Sequence, residues 1–111
     1  MKYSRTICMA LLAIAMAGYA FSQAVNATLL GTVTDVSGAV IVTAKVIITE
    51  INTGVSRTGE TNTSGNYSFP DLPPGQYTVS VEIPGFKKEA KKNIDLLVNS
   101  STRVDLQLQP G

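Results

Sequence analysis

Apolar and polar residues alternate along several short stretches of the chain, most clearly in residues 44–50, 77–83 and 103–108. In residues 77–83, one tyrosine, two valines and one isoleucine alternate with threonine, serine and glutamate. Successive side chains of a β-strand point to opposite faces, so this pattern is typical of strands with one buried and one solvated face. No stretch after residue 22 has a helical period. The pattern therefore predicts an all-β domain.

Clusters of turn-forming residues separate the alternating stretches at short, regular intervals. They are rich in Gly, Pro, Asn and Asp and lie at residues 35–38, 52–54, 63–66, 73–75 and 84–85. Short strands at such spacing indicate a β-sandwich or a barrel. We predict a seven-stranded antiparallel β-sandwich with strands at 27–34, 43–51, 54–61, 66–70, 76–83, 87–97 and 102–108.

The inward-facing side chains of these strands supply the expected core between two packed sheets. They are mostly aliphatic or aromatic: Leu29, Val33, Val46, Ile48, Tyr67, Phe69, Leu72, Tyr77, Val79, Val81, Ile94, Val104 and Leu106. The segment from Lys87 to Asn93 differs, since it has four lysines and one glutamate. Charge of that density is typical of an edge strand or loop that resists pairing with another sheet.

The first 22 residues differ in composition from the rest of the chain. Lys2 and Arg5 precede an apolar run at residues 7–17, and small residues stand three and one positions before Gln23. This is the pattern of a secretory signal peptide cleaved between Ser22 and Gln23, with a helical apolar run too short to span a bilayer. We expect a signal peptide at 1–22 and an exported domain at 23–111, in the periplasm or outer membrane or secreted.

Composition limits the chemistry open to the exported domain. Without Lys2 and Arg5, seven of the nine basic residues remain against eight acidic ones, which gives no reason to expect nucleic acid as a partner. The chain has no histidine, and its single cysteine, Cys8, lies in the predicted signal peptide. Ser-His-Asp sites, cysteine nucleophiles and Cys/His metal sites are thereby excluded from residues 23–111. We expect a non-catalytic module without a cofactor.

Three segments resemble the motifs of a known family. They are GTVTDVSG at residues 31–38, TSGNYSF at 63–69, and LPPGQYTV at 72–79, which is followed by Pro84-Gly85-Phe86. In order and spacing they are similar to the carboxypeptidase regulatory-like domain, a prealbumin-like seven-stranded β-sandwich. The likeness covers nearly all of the chain after the predicted signal peptide. It resembles in particular the copy at the N-terminus of TonB-dependent, Oar-like outer-membrane receptors, which directly follows a signal peptide.

The chain departs from the family pattern at two places. Val36 stands where the family commonly has proline, and Ile41-Val42-Thr43 replaces a turn that resembles Val-Pro-Gly. We therefore expect the segment that leads into the second strand to be longer or looser than in relatives.

The resemblance implies a structural or interaction role without catalysis, because these domains accompany zinc carboxypeptidases but hold neither the metal nor the active site. In an Oar-like receptor the transport work belongs to a plug and a barrel, which are the implied partners. A short or truncated receptor chain that ends at residues 109–111 is one interpretation. A free periplasmic or secreted module is the other.

Carbohydrate binding is the alternative function, because sandwiches of this shape resemble starch-binding domains, which hold sugars on exposed aromatic side chains. Three aromatic residues of the exported part are assigned to the core. Phe86, at a loop tip after Pro84-Gly85, is the best exposed candidate. With the adjacent Lys87 and Lys88 it forms the candidate ligand contact.

Overall fold

In a computed structural model, which describes residues 26–111, the chain forms two four-stranded β-sheets. In the first sheet β1 lies between β4 on one side and β7 with β8 on the other, and the second sheet has the order β3-β2-β5-β6. The predicted all-β sandwich is confirmed. The strands are β1 (Ala27–Asp35), β2 (Lys45–Glu50), β3 (Ser56–Glu60), β4 (Asn66–Leu72), β5 (Gly75–Glu82), β6 (Glu89–Leu96), β7 (Ser101–Arg103) and β8 (Leu106–Leu108).

Two features of the sequence lie outside the described residues. They are the predicted signal peptide at 1–22 and its cleavage site between Ser22 and Gln23. Between residues 26 and 111 there is no helix with the length and apolarity needed to cross a membrane.

The core lies between the two sheets and consists of side chains from the inner faces of the strands. All of the predicted core residues except Ile94 are buried, and Ile94 is half-buried at the margin of the core. Further buried apolar residues come mainly from strand ends and loops: Ala27, Ile41, Ala44, Leu96 and Leu108. Removal of this apolar surface from water is the main force that holds the two sheets together.

The second sheet is an antiparallel ladder with little interruption. β2 pairs with β3 from Lys45 opposite Glu60 to Thr49 opposite Ser56 without a shift, and it pairs with β5 along its whole length. The ladder between β5 and β6 has one irregularity, near Asn93, which has a φ of +58°. The regular part of this sheet follows the alternation of the sequence closely.

The last strand of the first sheet differs from the prediction. Residues 102–108 were expected to form one antiparallel strand, but two short strands, β7 and β8, occupy this position. Both pair in parallel with β1, β7 near its start and β8 near its end. The strand count is therefore eight, and this edge of an otherwise antiparallel fold is parallel.

A close contact between Gly31 and the chain between β7 and β8 explains the interruption, which we call the β7–β8 break. The Val104 carbonyl oxygen lies so close to Gly31 that a Cβ on residue 31 would overlap it. That oxygen accepts a hydrogen bond from the Tyr67 hydroxyl, and the carboxylate of Asp105 accepts one from the backbone N–H of Thr32 at 2.8 Å. Only glycine leaves room for this approach.

The segment leading into β2 is fixed by one buried threonine. The Thr61 hydroxyl donates to the Ile41 carbonyl at 2.7 Å and accepts from the Ala44 N–H at 2.9 Å, while Thr43 N–H donates to the Thr61 carbonyl at 3.0 Å. Thr43 has a φ of +60°, the left-handed conformation that suits the glycine of the family pattern. Three hydrogen bonds to Thr61 therefore order this segment, and the expectation that it is longer or looser than in relatives stays a prediction.

The described chain passes from one end of the sandwich to the other. Ala27 begins β1 at one end, and Leu108 lies beside Asp35 at the opposite end because β8 runs parallel to β1. The nine residues of β1 separate the Ala27 end from the Asp35 end by about 30 Å at the rise of an extended strand. This direct passage bears on how the domain would sit within a longer chain.

Candidate functional site

A cleft of about 440 Å³ at the Asp35 end brings together two of the three predicted contact residues, Phe86 and Lys88. Lys87 is exposed beside the cleft but does not line it, and its backbone N–H donates to the Gln109 carbonyl at 2.8 Å. The other lining residues come from the start of β2 and from the turn between β5 and β6: Thr43, Lys45, Glu82, Ile83 and Pro84. The volume is within the range of small-molecule sites.

Phe86 is half-buried, whereas the sequence predicted an exposed loop tip. It closes a turn in which its N–H donates to the Ile83 carbonyl at 3.2 Å and Gly85 has a φ of +91°. Phe86 forms an isolated bridge with Pro110, and Gly111 N–H donates to Gly85 at 3.0 Å. Pro110 and Gly111 therefore fix the position of this turn. The Phe86 ring packs partly against the core, and only part of its surface lines the cleft.

Charges of alternating sign cross the outer face of the second sheet at the cleft. Lys45 lies opposite Glu60 on β3 and opposite Glu82 on β5, and the Lys88 ammonium lies 3.1 Å from a Glu82 carboxylate oxygen. The side chains of Lys88 and Glu82 are 61% and 41% exposed. An ion pair this exposed adds little stability, so both groups remain open to a ligand.

The cleft combines an apolar wall with charged groups. Ile83, Pro84 and Phe86 give it an apolar wall, and the charged row supplies ammonium donors and a carboxylate acceptor. That combination suits a small polar ligand with one apolar face, such as a sugar ring. Within residues 26–111, no three residues among His, Cys, Asp and Glu are grouped so that they could hold a metal ion.

Sequence reasoning missed five of the cleft residues: Thr43, Lys45, Glu82, Ile83 and Pro84. The alternation placed Lys45 and Glu82 on the polar faces of their strands, which was a usable signal. Their meeting depends on the pairing of β2 with β5, and nothing in the local pattern of either strand gives that pairing.

A smaller apolar cleft of about 160 Å³ lies at the Ala27 end, where Tyr77 forms part of its wall. The Tyr77 hydroxyl donates to the Pro73 carbonyl at 2.7 Å, and burial, with the nearby charge of Glu50, raises the pKa of this phenol. Four apolar side chains at this end are exposed: Ile51, Val55, Leu97 and Val98. Glu50, Thr53 and Arg57 also line this cleft, so it too has polar and charged groups beside its apolar wall.

Comparison with known proteins identifies the family. A family model of the carboxypeptidase regulatory-like domain matches residues 28–109. The chain belongs to this family. The TonB-dependent transporter Oar of Myxococcus xanthus is 38% identical in an alignment of 96 positions that covers 82% of this chain and 8% of that protein. This carboxypeptidase regulatory-like domain chain thus spans less than a tenth of the length of the transporter it matches.

Solved structures share the fold of this regulatory-like domain at low identity. A candidate carbohydrate binding protein from Bacteroides uniformis matches with a TM-score of 0.62 and 18% identity, covering 77% of this chain and 42% of that one. Catechol 1,2 dioxygenase from Acinetobacter radioresistens matches with a TM-score of 0.61 and 14% identity, covering 80% and 53%. At these identities the likeness shows a common fold, and proteins named for binding and for catalysis both have it.

Proposed function

We propose that this domain is a non-catalytic accessory module of an exported receptor of the TonB-dependent class. The 38% identity to the transporter Oar carries the proposal. The identity is confined to 8% of the transporter. In this proposal the module is therefore an accessory domain of a larger receptor and does not itself transport. Its place is the periplasm or the outer membrane, after removal of residues 1–22, and its partners are the plug and barrel of the receptor.

The geometry supports a connecting role within such a receptor. The chain enters at the Ala27 end and leaves at the Asp35 end, so flanking segments of a longer chain would lie at opposite ends of the sandwich. A module of this kind holds its neighbours about 30 Å apart. It exposes apolar side chains at both ends, with Val36, Val40 and Val42 at the Asp35 end beside the charged residues of the larger cleft.

An exchange experiment tests the accessory role. Residues 28–109 replace the matching segment of Oar, and the control receptors lack that segment or have an unrelated β-sandwich of similar size in its place. We expect the exchanged receptor to assemble in the outer membrane and transport like the parent, while the deletion impairs one or both. An exchanged receptor that behaves like the deletion would contradict the proposal.

Carbohydrate binding at the cleft is the second candidate function. It is favoured by the position of Phe86 and Lys88 on one cleft and by a fold neighbour that is a candidate carbohydrate binding protein. In this proposal the exposed part of the Phe86 ring stacks on a sugar face, and Lys88 and Glu82 bind the hydroxyl groups. Lys87 contacts only the part of a longer glycan that leaves the cleft.

Calorimetric titration with soluble glucans and with peptidoglycan fragments tests this second function. Lys88→Ala is expected to weaken binding about tenfold, the effect of losing one charge-assisted hydrogen bond. Lys92→Ala is the matched control, since Lys92 is exposed but lies outside the cleft. Absence of heat at millimolar ligand, or equal effects of the two variants, would remove the cleft from consideration.

A further inference from the structure

Edge strands offer unpaired backbone groups, and three of the four edges of this sandwich are interrupted. β4 contains Pro70 and Asp71, whose φ is +58°, and β6 contains Asn93 with the same φ. β7 and β8 are separated at Val104 and Asp105. Prolines, irregular residues and short strands are the usual means of preventing contact between sheets. β3 is short, with five residues, and has two charged side chains, but it contains no proline and no irregular residue and pairs with β2 without a shift.

The register shows which backbone groups of β3 are free. Glu50 N–H donates to the Val55 carbonyl at 2.9 Å, and Thr61 N–H donates to the Ala44 carbonyl at 3.0 Å, one at each end of the β2–β3 ladder. Hydrogen-bonded and non-bonded pairs alternate in an antiparallel ladder. Arg57 and Gly59 therefore bond to β2, and the N–H and C=O groups that point away from the sheet belong to Ser56, Thr58 and Glu60, all exposed.

The inner face of β3 is held in place by the first sheet. The Arg57 guanidinium donates to the Pro70 carbonyl at 2.9 Å and lies 5.9 Å from the centre of the Phe69 ring. The Phe69 ring also lies under Gly59, at about the distance at which a Cβ would touch it. These contacts hold the inner face of β3 against the first sheet, so the free edge is presented in an ordered, extended form.

We propose that the free edge of β3 pairs with β3 of a second copy of this chain. The two strands run antiparallel about a twofold axis at Thr58, and the two four-stranded sheets become one continuous sheet. In this arrangement Thr58 faces Thr58 and Ser56 faces Glu60 of the second copy. Each of these pairs exchanges two backbone hydrogen bonds.

The side chains of β3 favour this register over its neighbours. Arg57 lies opposite Gly59 of the second copy, which leaves room for its side chain, and the Ser56 hydroxyl can donate to the Glu60 carboxylate. A shift by two residues in one direction places Arg57 opposite Arg57. A shift by two in the other places Gly59 opposite Gly59, a pair without side chains to pack, and a shift by four places Glu60 opposite Glu60. Like charges directly opposite each other destabilise a sheet, whereas Thr–Thr pairs stabilise it. The register about Thr58 is self-complementary and free of facing like charges, as a twofold interface requires.

The expected association is weak and reversible. A strand of five residues contributes far less than the roughly 800 Å² per partner of a standard stable interface. Such an edge therefore acts where copies are held close together, because tethering raises the effective concentration of the second strand. Modules displayed side by side on a membrane surface meet that condition.

Charge variants at the twofold axis test the pairing. The whole chain is expressed, and the protein is purified in the form that the cells produce. Thr58→Lys and Thr58→Glu each place two like charges face to face, and each is expected to weaken dimerisation about tenfold or more in sedimentation analysis. An equimolar mixture of the two is expected to pair at least as well as the parent protein. Thr78→Lys, on the same outer face but on β5, is the matched control and should dimerise like the parent.

Three results would overturn the proposal, given circular dichroism spectra that show each variant folded. The first is a parent chain that stays monomeric up to millimolar concentration. The second is a dimer whose stability is the same with Thr58→Lys as with the parent residue, which would place the interface elsewhere. The third is a mixture of the two charge variants that does not pair, which would exclude the meeting of Thr58 with itself.

Discussion

β1 and β2 occupy equivalent central positions in the two sheets, but they are held by different contacts. β2 has an uninterrupted antiparallel partner on each side. β1 has β4 on one side, with a register shift, and two short parallel strands on the other. The β7–β8 break between these strands is bridged by Gly31, Tyr67 and Asp105 rather than by a continuous ladder. Single substitutions should therefore lower the unfolding free energy more in the first sheet than in the second.

Gly31→Ala should show the largest difference between the sheets. The added Cβ overlaps a backbone carbonyl, which cannot rotate away as a side chain can, and we expect a loss of about 3 kcal/mol in unfolding free energy. Gly59→Ala is the matched change in the second sheet, where a Cβ would meet only the Phe69 ring at 3.1 Å. Urea unfolding monitored by tyrosine fluorescence gives both values, and equal losses would contradict the comparison.

Tyr67→Phe removes the hydroxyl that bonds to Val104 at the β7–β8 break. We expect a loss of about 1–2 kcal/mol, because a buried carbonyl loses its partner. Tyr77→Phe, which loses only a bond to a residue four positions away, should cost less. Thermal unfolding of the two variants against the parent protein tests the order, and a larger effect at Tyr77 would contradict it.

The same tyrosine makes stability depend on alkaline pH. Burial, with the charge of Asp105 next, raises the pKa of Tyr67 above its ordinary value of 10.0. The unfolded chain therefore loses this proton first, so the contribution of Tyr67 is complete below pH 10 and declines as the pH rises above it. Unfolding free energies measured between pH 8 and pH 11 should fall less steeply for Tyr67→Phe. Parallel curves would contradict the assignment.

Asp105→Ala should have a smaller effect at the same break. The carboxylate accepts from Thr32 N–H at 2.8 Å and from Arg103 at 3.1 Å, but it is exposed. We expect a loss of about 1 kcal/mol. Asp95→Ala is the control in the second sheet, since Asp95 accepts from one side chain only, Gln76 at 3.0 Å. Equal losses in chemical unfolding would show that the break does not need Asp105.

Thr43→Gly should change stability least and in the opposite direction. Thr43 holds a φ of +60°, where a β-branched residue is strained and glycine is not, so we expect a gain of about 0.5–1 kcal/mol. The three hydrogen bonds around Thr61 use backbone groups of residues 41–44 and remain in the variant. A loss of stability would indicate that the Thr43 side chain has a role that its contacts do not show.

Local pattern predicted the strands well, because burial on a pleated sheet alternates residue by residue. The β7–β8 break escaped prediction because Val104, Leu106 and Leu108 keep the same alternation across it. Its cause is Gly31, far away in the sequence, and a glycine inside an otherwise regular strand was the available signal. The left-handed Thr43 was likewise hidden, since its conformation depends on hydrogen bonds to Thr61.

The candidate cleft was predictable only in part. Phe86 and Lys88 are near neighbours in sequence, so a shared site followed from their spacing. Half-burial of Phe86 depends on Pro110, whose position follows from the parallel placement of β8. The contribution of Lys45 and Glu82 depends on strand pairing. Contacts between distant parts of the chain are therefore what the sequence pattern does not reveal.

The parallel placement of β7 and β8 beside β1 also has a consequence for folding during synthesis. β1 is among the first residues of the domain to leave the ribosome, but one of its sides stays bare until residues 101–108 follow. At about 5–20 residues per second this delay is several seconds. Contacts of such high sequence separation also form slowly. The first sheet therefore stays incomplete until synthesis of the domain ends. An incompletely folded chain is the form that a translocation machinery for unfolded polypeptides can accept.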